Sequence, residues 1–266
     1  MMVNEEAVVL DYDPRALGLL VRQFRDERNL SVRKGADKLF LPHSSIQRVE
    51  GGLSRRPRPK TLTGLSLGMG MPIQDLCARI GVKLTAQLLS ACEAQVVRLI
   101  GVKVTDCWRT PPEVFAYWAR RYNITADLAS VHTHALCPRF IGPDQNSLDA
   151  DWLSVVGEGN AGWLNPPYGG PGCLPWVEKA IAEQQRGVTT ILLIPPSMGT
   201  RYMEFCLTLA AVCDFYRGRL AFLHPLTWLA AGANRGDSCV AVFEAGHTGP
   251  PREMVYLDRP RSGKAG

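Results

Sequence analysis

Two consecutive prolines follow a short apolar stretch in this 266-residue chain, in the segment Trp163-Leu164-Asn165-Pro166-Pro167-Tyr168. Proline has no backbone N–H and holds φ near −65°, so neither a helix nor the interior of a sheet continues through this segment. The residue before a proline is held in an extended conformation. We therefore expect a strand that ends near Asn165 and passes directly into a loop of fixed backbone geometry.

Strand and helix patterns alternate in the part of the chain around these prolines. Apolar runs and helical periodicity predict strands at 163–164, 190–194, 214–222 and 238–243 and helices at 111–121, 174–186 and 201–211. This alternation is typical of a three-layer α/β fold, in which ligands bind at the carboxyl ends of the strands. The proline segment therefore lies where such a fold places its chemistry.

The front of the chain differs from the rest in charge and in pattern. Residues 21–60 carry eleven Lys or Arg against four acidic residues, whereas residues 101–266 carry fifteen of each. Helical periodicity begins after Asp13, a predicted N-cap that Pro14 follows, and another helix is predicted at 84–100. We predict an all-α module over 13–80, a helical linker over 81–104, an α/β module over 105–249 and a flexible tail over 250–266.

Composition and cysteine spacing exclude several classes of protein. The chain has the 46% hydrophobic and 21% charged residues of a folded globular protein, and no apolar run reaches the ~20 residues of a membrane span. The eight cysteines form no CxxC pair, and His132, His134 and Cys137 lack a suitably spaced fourth ligand, so we expect no metal site. The acidic start of the chain predicts a cytoplasmic protein with reduced thiols.

A short predicted helix at 43–50 has the features of a helix that reads DNA. Ile46 and Val49 face inward by their spacing, which leaves polar side chains outside. Gln pairs with adenine and Arg with guanine in the major groove, while basic side chains bind phosphates. The candidate DNA-binding residues are Lys34, His43, Ser44, Ser45, Gln47, Arg48, Arg55 and Arg56. A solvated charged surface and a helical adaptor that packs on the second module are the alternatives.

The stretch from Leu19 to Ile80 resembles the phage-repressor (Cro/C1-like) helix-turn-helix family. The resemblance is carried by residues 21–31, by Ala36 and Leu39, and by Ser44-Ser45-Ile46-Gln47-Arg48-Val49-Glu50-Gly51-Gly52. Two positions depart from the family pattern: Val32 replaces a frequent phosphate-contacting Gln, and Gly35 replaces an apolar helix residue. The resemblance implies an N-terminal helix-turn-helix domain that binds double-stranded DNA.

The sequence Asn-Pro-Pro-Tyr at 165–168 predicts a site for an exocyclic amine. The side-chain oxygen of Asn165 and the carbonyl of Pro166 can accept both hydrogens of such an amine, which directs the nitrogen lone pair towards an electrophile. Tyr168 offers a face on which a flipped base stacks, worth ~1–3 kcal/mol. Methyl transfer to a ring-conjugated amine depends mainly on this kind of positioning. A rigid strand-to-loop turn that exposes an aromatic residue is the alternative.

Six segments, in order along residues 106–245, resemble the phage-type DNA adenine-N6 methyltransferase family. They are Asp106–Pro111, Ile124–Ser130, Asn146–Trp152, Trp163–Tyr168, Trp176–Ala180 and Arg217–Phe222. The resemblance implies a Rossmann-like α/β domain that moves a methyl group from S-adenosylmethionine to the N6 amine of adenine in DNA. It implies that Asn165, Pro166 and Tyr168 hold the target base. It also implies that Thr110, Pro111 and Asp127 bind the cofactor, with Asn146 and Asp151 at its far end.

One expected motif is missing, and two other functions remain open. The glycine-rich loop of most methyltransferases does not follow Asp127, where Leu-Ala-Ser stands instead. Residues 157–162 match GxGxxG but lead into a strand rather than open a helix, so we predict a plain loop there. Cytosine-N4 methylation of DNA is one alternative. A transcriptional regulator with a degenerate methyltransferase domain is the other.

Overall fold

The structure is a computed structural model that describes residues 11–101, 103–131, 134–169, 172–231 and 236–260. The chain divides into two compact units. One unit contains residues 1–104 and 225–228, and the other contains residues 105–224 and 229–266.

Six helices make up most of the described part of the first unit. They are α1 Pro14–Glu27, α2 Val32–Lys38, α3 His43–Glu50, α4 Pro59–Met69, α5 Ile73–Arg79 and α6 Ala86–Ile100. The carboxylate of Asp13 accepts hydrogen bonds from the N–H groups of Arg15 and Ala16, so it caps α1 as predicted. Ile46 and Val49 are buried on the inner side of α3, also as predicted.

Gly35 on α2 makes room for a side chain that joins several elements. A Cβ on Gly35 would lie 3.0 Å from Cδ of Arg25 on α1. The Arg25 guanidinium donates to Oε1 of Glu50 on α3 at 2.8 Å and to the carbonyl oxygen of Leu30 at 3.1 Å. The glycine that departs from the family pattern therefore has a packing reason in this chain.

Helix α6 belongs to the first unit rather than forming the separate linker expected over 81–104. Cys92 and Val96 on α6 are fully buried, and the Thr63 hydroxyl on α4 donates to the carbonyl oxygen of Cys92 at 3.0 Å. A short distant segment, 225–228, also belongs to this unit: the N–H of Ile73 donates to the carbonyl oxygen of Leu226 at 2.8 Å. Spacing within the sequence does not distinguish a connecting helix from a packed one, because both carry an apolar stripe.

Seven strands form one sheet in the described part of the second unit. They are β1 Ile124–Asp127, β2 Arg139–Phe140, β3 Ala161–Leu164, β4 Thr189–Ile194, β5 Val212–Arg217, β6 Cys239–Phe243 and β7 Tyr256–Asp258. Their order is β2-β1-β3-β4-β6-β5-β7. Among these strands only β6 runs antiparallel to its neighbours, β4 and β5.

Helices cover both faces of this sheet. They are α7 Pro112–Ala119, α8 Trp152–Val156, α9 Leu174–Gln185 and α10 Arg201–Leu209. Along β4, Ile191 and Leu193 join the core that contains Trp118 of α7, whereas Leu192 joins the core that contains Trp176 of α9. The alternation follows from the two-residue period of a strand, and the result is the mixed α/β architecture expected from the sequence.

Two segments differ from the sequence prediction. The strand expected over 214–222 ends at Arg217, because Gly218 takes a φ of +75° and turns the chain out of the sheet. The tail expected from residue 250 instead adds β7 to the sheet, beside β5. The N–H of Val255 donates to the buried carboxylate of Asp214 at 3.1 Å, which anchors this segment. Residues 261–266 lie outside the described part of the chain.

Candidate active site

Residues 165–169 contain the predicted catalytic residues and are here called the catalytic loop; they leave the sheet at the carboxyl end of β3. All four residues of β3 are buried, and the strand lies between parallel neighbours β1 and β4. The chain leaves β1 towards β2 on one side and returns to β3 on the other. The loop therefore lies at a topological switch point, where open α/β sheets bind their ligands.

The side-chain amide of Asn165 is held from both ends. Its Nδ2 donates to Oγ1 of Thr110 at 3.3 Å, and its Oδ1 accepts a hydrogen bond from the hydroxyl of Tyr168 at 2.9 Å. Thr110 is buried, so water does not replace its contact freely. These two contacts hold the amide in place, with Nδ2 towards Thr110 and Oδ1 towards Tyr168.

Tyr168 has an enclosed hydroxyl and a partly open ring. Its hydroxyl lies 3.1 Å from the carbonyl oxygen of Leu193 on β4, in addition to its contact with Asn165. Burial raises the pKa of the Tyr168 hydroxyl well above its usual value, so this group stays a proton donor. The side chain nevertheless remains 38% exposed. An anchored ring with an accessible surface suits stacking on a planar ligand.

Residues 106–110 run beside the catalytic loop and contact it at two points. Thr110 contacts Asn165, and Pro111, also buried, caps helix α7. The carboxylate of Asp106, four residues before Thr110, lies close to Gly169. A Cβ on Gly169 would be 3.2 Å from Oδ1 of Asp106. The sequence alone predicted no role for Asp106. A contact between segments 63 residues apart leaves no local signal in the sequence.

Asp127 ends β1 and is almost completely buried. Its carboxylate accepts hydrogen bonds from the N–H groups of Leu136, at 3.0 Å, and Ala129, at 3.4 Å. Burial raises the pKa of Asp127 from 3.8 to about 6, although both hydrogen bonds act in the opposite direction. The carboxylate therefore shapes the loop that follows β1, at the position where a glycine-rich loop is missing.

The side chains of Asn146 and Asp151, predicted at the far end of the cofactor, bond to residues outside the catalytic loop. The Asn146 amide bonds to the carboxylate of Asp149. The carboxylate of Asp151 pairs with Arg186 at 2.8 Å, and Arg186 directly follows α9, near the amino end of β4. Asp151 precedes α8, but its side chain makes no capping hydrogen bond. The assignment of both residues to the cofactor stays a prediction.

In the first unit, the outer side of α3 carries exposed polar side chains. His43, Ser44, Gln47 and Arg48 are exposed, and Ser45 is half-buried. His43 is not free of the protein, since its Nε2 lies 2.5 Å from the carboxylate of Asp37. The other candidate DNA-binding residues, Lys34, Arg55 and Arg56, are exposed as well.

The described residues contain neither a candidate metal site nor a candidate membrane span. No group of three or more His, Cys, Asp or Glu within those residues is placed to hold a metal ion. His132, one of the ligands considered from the sequence, lies outside them. In the same part of the chain, no helix has the length and apolar character of a membrane span. Residues 157–160 form a loop, and residues 161–162 begin β3, so the GxGxxG match leads into a strand as predicted.

Comparison with known proteins identifies the family. A family model described as DNA N-6-adenine-methyltransferase (Dam) matches residues 100–266. The DNA N-6-adenine-methyltransferase of Haemophilus phage HP1 is 30% identical over 143 residues, covering 52% of this chain and 79% of the relative. That of Escherichia phage T1 is 28% identical over 170 residues, covering 58% of this chain and 69% of the relative. No solved structure is significantly similar. The chain therefore belongs to the Dam family of DNA N-6-adenine-methyltransferases, which confirms the predicted activity of adenine-N6 methylation of DNA.

Proposed function

We propose that Asn165, Pro166 and Tyr168 hold an adenine flipped out of double-stranded DNA, with its N6 amine directed at the methyl group of S-adenosylmethionine. The observation that carries this proposal is the fixed amide of Asn165, held between Thr110 and Tyr168. An exposed asparagine would have to be ordered during the reaction. Here the ordering is already built into the folded chain, as efficient positioning requires.

The N6 amine is a weak nucleophile because its lone pair is delocalised into the purine ring. Asn165 Oδ1 has a second lone pair beyond the one that Tyr168 uses, and the Pro166 carbonyl supplies the other acceptor. When both amine hydrogens are accepted, the nitrogen lone pair points away from them, towards the methyl group. The N–CH₃ bond forms as the S–CH₃ bond breaks, and the positively charged N6 then releases one proton to solvent. The two acceptor oxygens stabilise the positive charge as it develops.

Tyr168 provides the surface on which the flipped base stacks. Its hydroxyl is tied to β3 and β4 through Asn165 and Leu193, so the ring keeps one orientation without the base. Stacking on such a ring is worth about 1–3 kcal/mol per base and does not depend on the base's identity. We therefore expect Tyr168 to contribute binding energy, and the acceptors at Asn165 and Pro166 to select an exocyclic amine.

The residues at the switch point fit a methyl donor of this kind. S-adenosylmethionine supplies an electrophilic methyl group on a positively charged sulfur. Thr110 and Asp127 lie at the carboxyl edge of the sheet, where the Asp127 carboxylate shapes the loop after β1 and the Thr110 hydroxyl holds Asn165 beside the donor's expected place. We assign Thr110, Pro111 and Asp127 to the donor. For Asn146 and Asp151 the support is limited to the family resemblance.

We further propose that the first unit binds double-stranded DNA as a helix-turn-helix domain. Its α2 and α3 are joined by a four-residue turn, and the outer side of α3 presents Gln47 and Arg48 to solvent. The Arg25–Glu50 ion pair fixes α3 against α1, so these side chains are carried on a rigid element. The net charge of +7 over residues 21–60, eleven basic minus four acidic, favours a polyanion.

The test is to identify the product. Purified protein is incubated with isotopically labelled S-adenosylmethionine and mixed-sequence duplex DNA, which is then digested to nucleosides for mass spectrometry. Labelled N6-methyladenine is expected. Labelled N4-methylcytosine would keep the mechanism and overturn the base assignment. Absence of any methylated base, from protein that still binds DNA, would favour the regulator with a degenerate domain.

A further inference from the structure

The loop between β4 and α10 presents a large apolar side chain to solvent beside the base-binding residues. Met198 is 65% exposed, and its neighbours Ser197 and Gly199 are exposed too. The loop begins at Pro195, two residues after the Leu193 carbonyl that contacts the Tyr168 hydroxyl. Met198 therefore stands on the same edge of the sheet as the catalytic loop, next to the strand that anchors Tyr168.

This loop is held in one shape by its own hydrogen bonds. The N–H and hydroxyl of Thr200 donate to the carbonyl oxygen of Ser197 at 3.0 and 2.7 Å. The hydroxyl of Tyr202 donates to the carbonyl oxygen of Pro195 at 2.8 Å. Two prolines, 195 and 196, restrict the backbone further. The fixed loop keeps the Met198 side chain exposed to solvent, although burying that side chain against an apolar surface would be favourable.

Flipping an adenine out of a duplex leaves a gap in the base stack and an orphaned partner base. Proteins that distort DNA fill such gaps with apolar wedges, and methionine is one of the side chains used. Arg201, the first residue of α10, directly follows this loop. It is exposed and basic, so it suits contact with a neighbouring phosphate. Met198 is exposed on an ordered loop beside the catalytic loop, and Arg201 adds a positive charge nearby. These features fit contact with the distorted duplex.

We propose that Met198 enters the DNA stack at the position vacated by the target adenine and keeps the base outside the duplex. The proposal rests on the proposed function of the catalytic loop. It makes Met198 a residue that assists access to the amine rather than the transfer itself. Its contribution should therefore depend on whether the adenine is paired in the substrate.

The experiment compares three variants on two substrates. Met198→Ala removes the wedge, Met198→Leu keeps an apolar side chain of similar size, and Met254→Ala is the matched control. Met254 is also exposed, at 51%, but it lies beside β7, three strands beyond β4 in the sheet order. The substrates are an oligonucleotide duplex that carries a site methylated by the wild-type protein, and the same duplex with a mismatch opposite the target adenine.

Met198→Ala is expected to lower kcat/KM on the paired duplex by about 10-fold, because unstacking a base costs a few kcal/mol and the wedge offsets part of it. The mismatched duplex should restore most of the activity, since its adenine is already unpaired. Met198→Leu and Met254→Ala should behave like wild type on both substrates. The fluorescence of 2-aminopurine at the target position should rise less with Met198→Ala than with wild type.

Two outcomes would overturn the proposal. One is wild-type kcat/KM for Met198→Ala on the paired duplex. The other is an equal loss on paired and mismatched DNA, which would indicate a structural role in the loop. Failure of the proposed function is a separate result, because the wild-type protein would then produce no N6-methyladenine on either substrate.

Discussion

The polar side chains of the catalytic loop bond to their own protein, whereas Gln47 and Arg48 on α3 face solvent. Asn165 and Tyr168 bond to each other, and their outer partners are Thr110 and Leu193. On α3, Gln47 and Arg48 are exposed, and the helix itself is fixed from behind by Arg25. The first arrangement suits the proposed positioning of a reacting base, and the second suits the proposed binding of a large polyanion.

Substitution of Asn165 should have the largest effect, because in the proposed mechanism this residue orients the amine that receives the methyl group. We expect Asn165→Ala to lower kcat by at least about 10²–10³-fold, the usual cost of removing one preorganised partner of the transition state. DNA binding should change little. Single-turnover assays and filter binding separate the two effects.

Asn160→Ala is the matched control for this substitution. Asn160 precedes β3 at its opposite end, and its amide bonds to Asn123 and to the carbonyl of Glu158. The control removes a bonded amide of the same kind without reaching the catalytic loop, so it should retain activity. An active Asn165→Ala protein would refute the mechanism.

The buried carboxylate of Asp127 should make the stability of the protein depend on pH in an unusual direction. Because burial raises its pKa from 3.8 to about 6, the folded protein binds this proton more tightly than the unfolded chain does. The free energy of unfolding should therefore fall as pH rises from about 4 to about 6 and stay level above that range. Two pH units correspond to at most about 3 kcal/mol.

Asp127→Asn tests this dependence, because asparagine does not titrate. Urea unfolding between pH 4 and pH 7 should show the wild-type protein losing stability relative to the variant as pH rises. Asp258→Asn serves as the control, since the Asp258 side chain is almost fully exposed. A constant difference between wild type and Asp127→Asn across this range would show that the carboxylate titrates normally.

The exposed side chains of α3 should affect the affinity for DNA rather than the rate of methyl transfer. Gln47→Ala combined with Arg48→Ala should weaken binding to duplex DNA by about 10-fold and reduce the salt slope of binding by about 1. At saturating DNA, kcat should remain that of the wild type. Arg98→Ala removes an exposed positive charge from α6 and should alter affinity much less. Equal losses in both proteins would point to non-specific charge attraction alone.

The sequence allowed prediction of features that depend on neighbouring residues. The proline pair placed the end of β3, and apolar spacing placed α1 and α3 with their buried residues. Features that depend on distant residues were not predictable in this way. The Tyr168–Leu193 contact, the Asp106–Gly169 contact and the pairing of β7 with β5 each join segments far apart in the chain. Residues 250–266 are rich in Pro and Arg, so the segment that forms β7 was expected to be part of a flexible tail.

The smallest of these effects should come from Thr110, which we assign to the methyl donor and whose hydroxyl also holds the amide of Asn165. Thr110→Val keeps the shape of the side chain and removes the oxygen that accepts from Asn165 Nδ2. A lost hydrogen bond of this kind costs about 1 kcal/mol, so kcat should fall about 5- to 10-fold. Thr110→Ser, which keeps the hydroxyl, should restore kcat. If Thr110 instead serves mainly to bind S-adenosylmethionine, the KM for that substrate should rise while kcat at saturation stays near wild type. A fall in kcat that serine rescues would show that the buried partner of Asn165, and not the asparagine alone, sets the geometry of the catalytic loop.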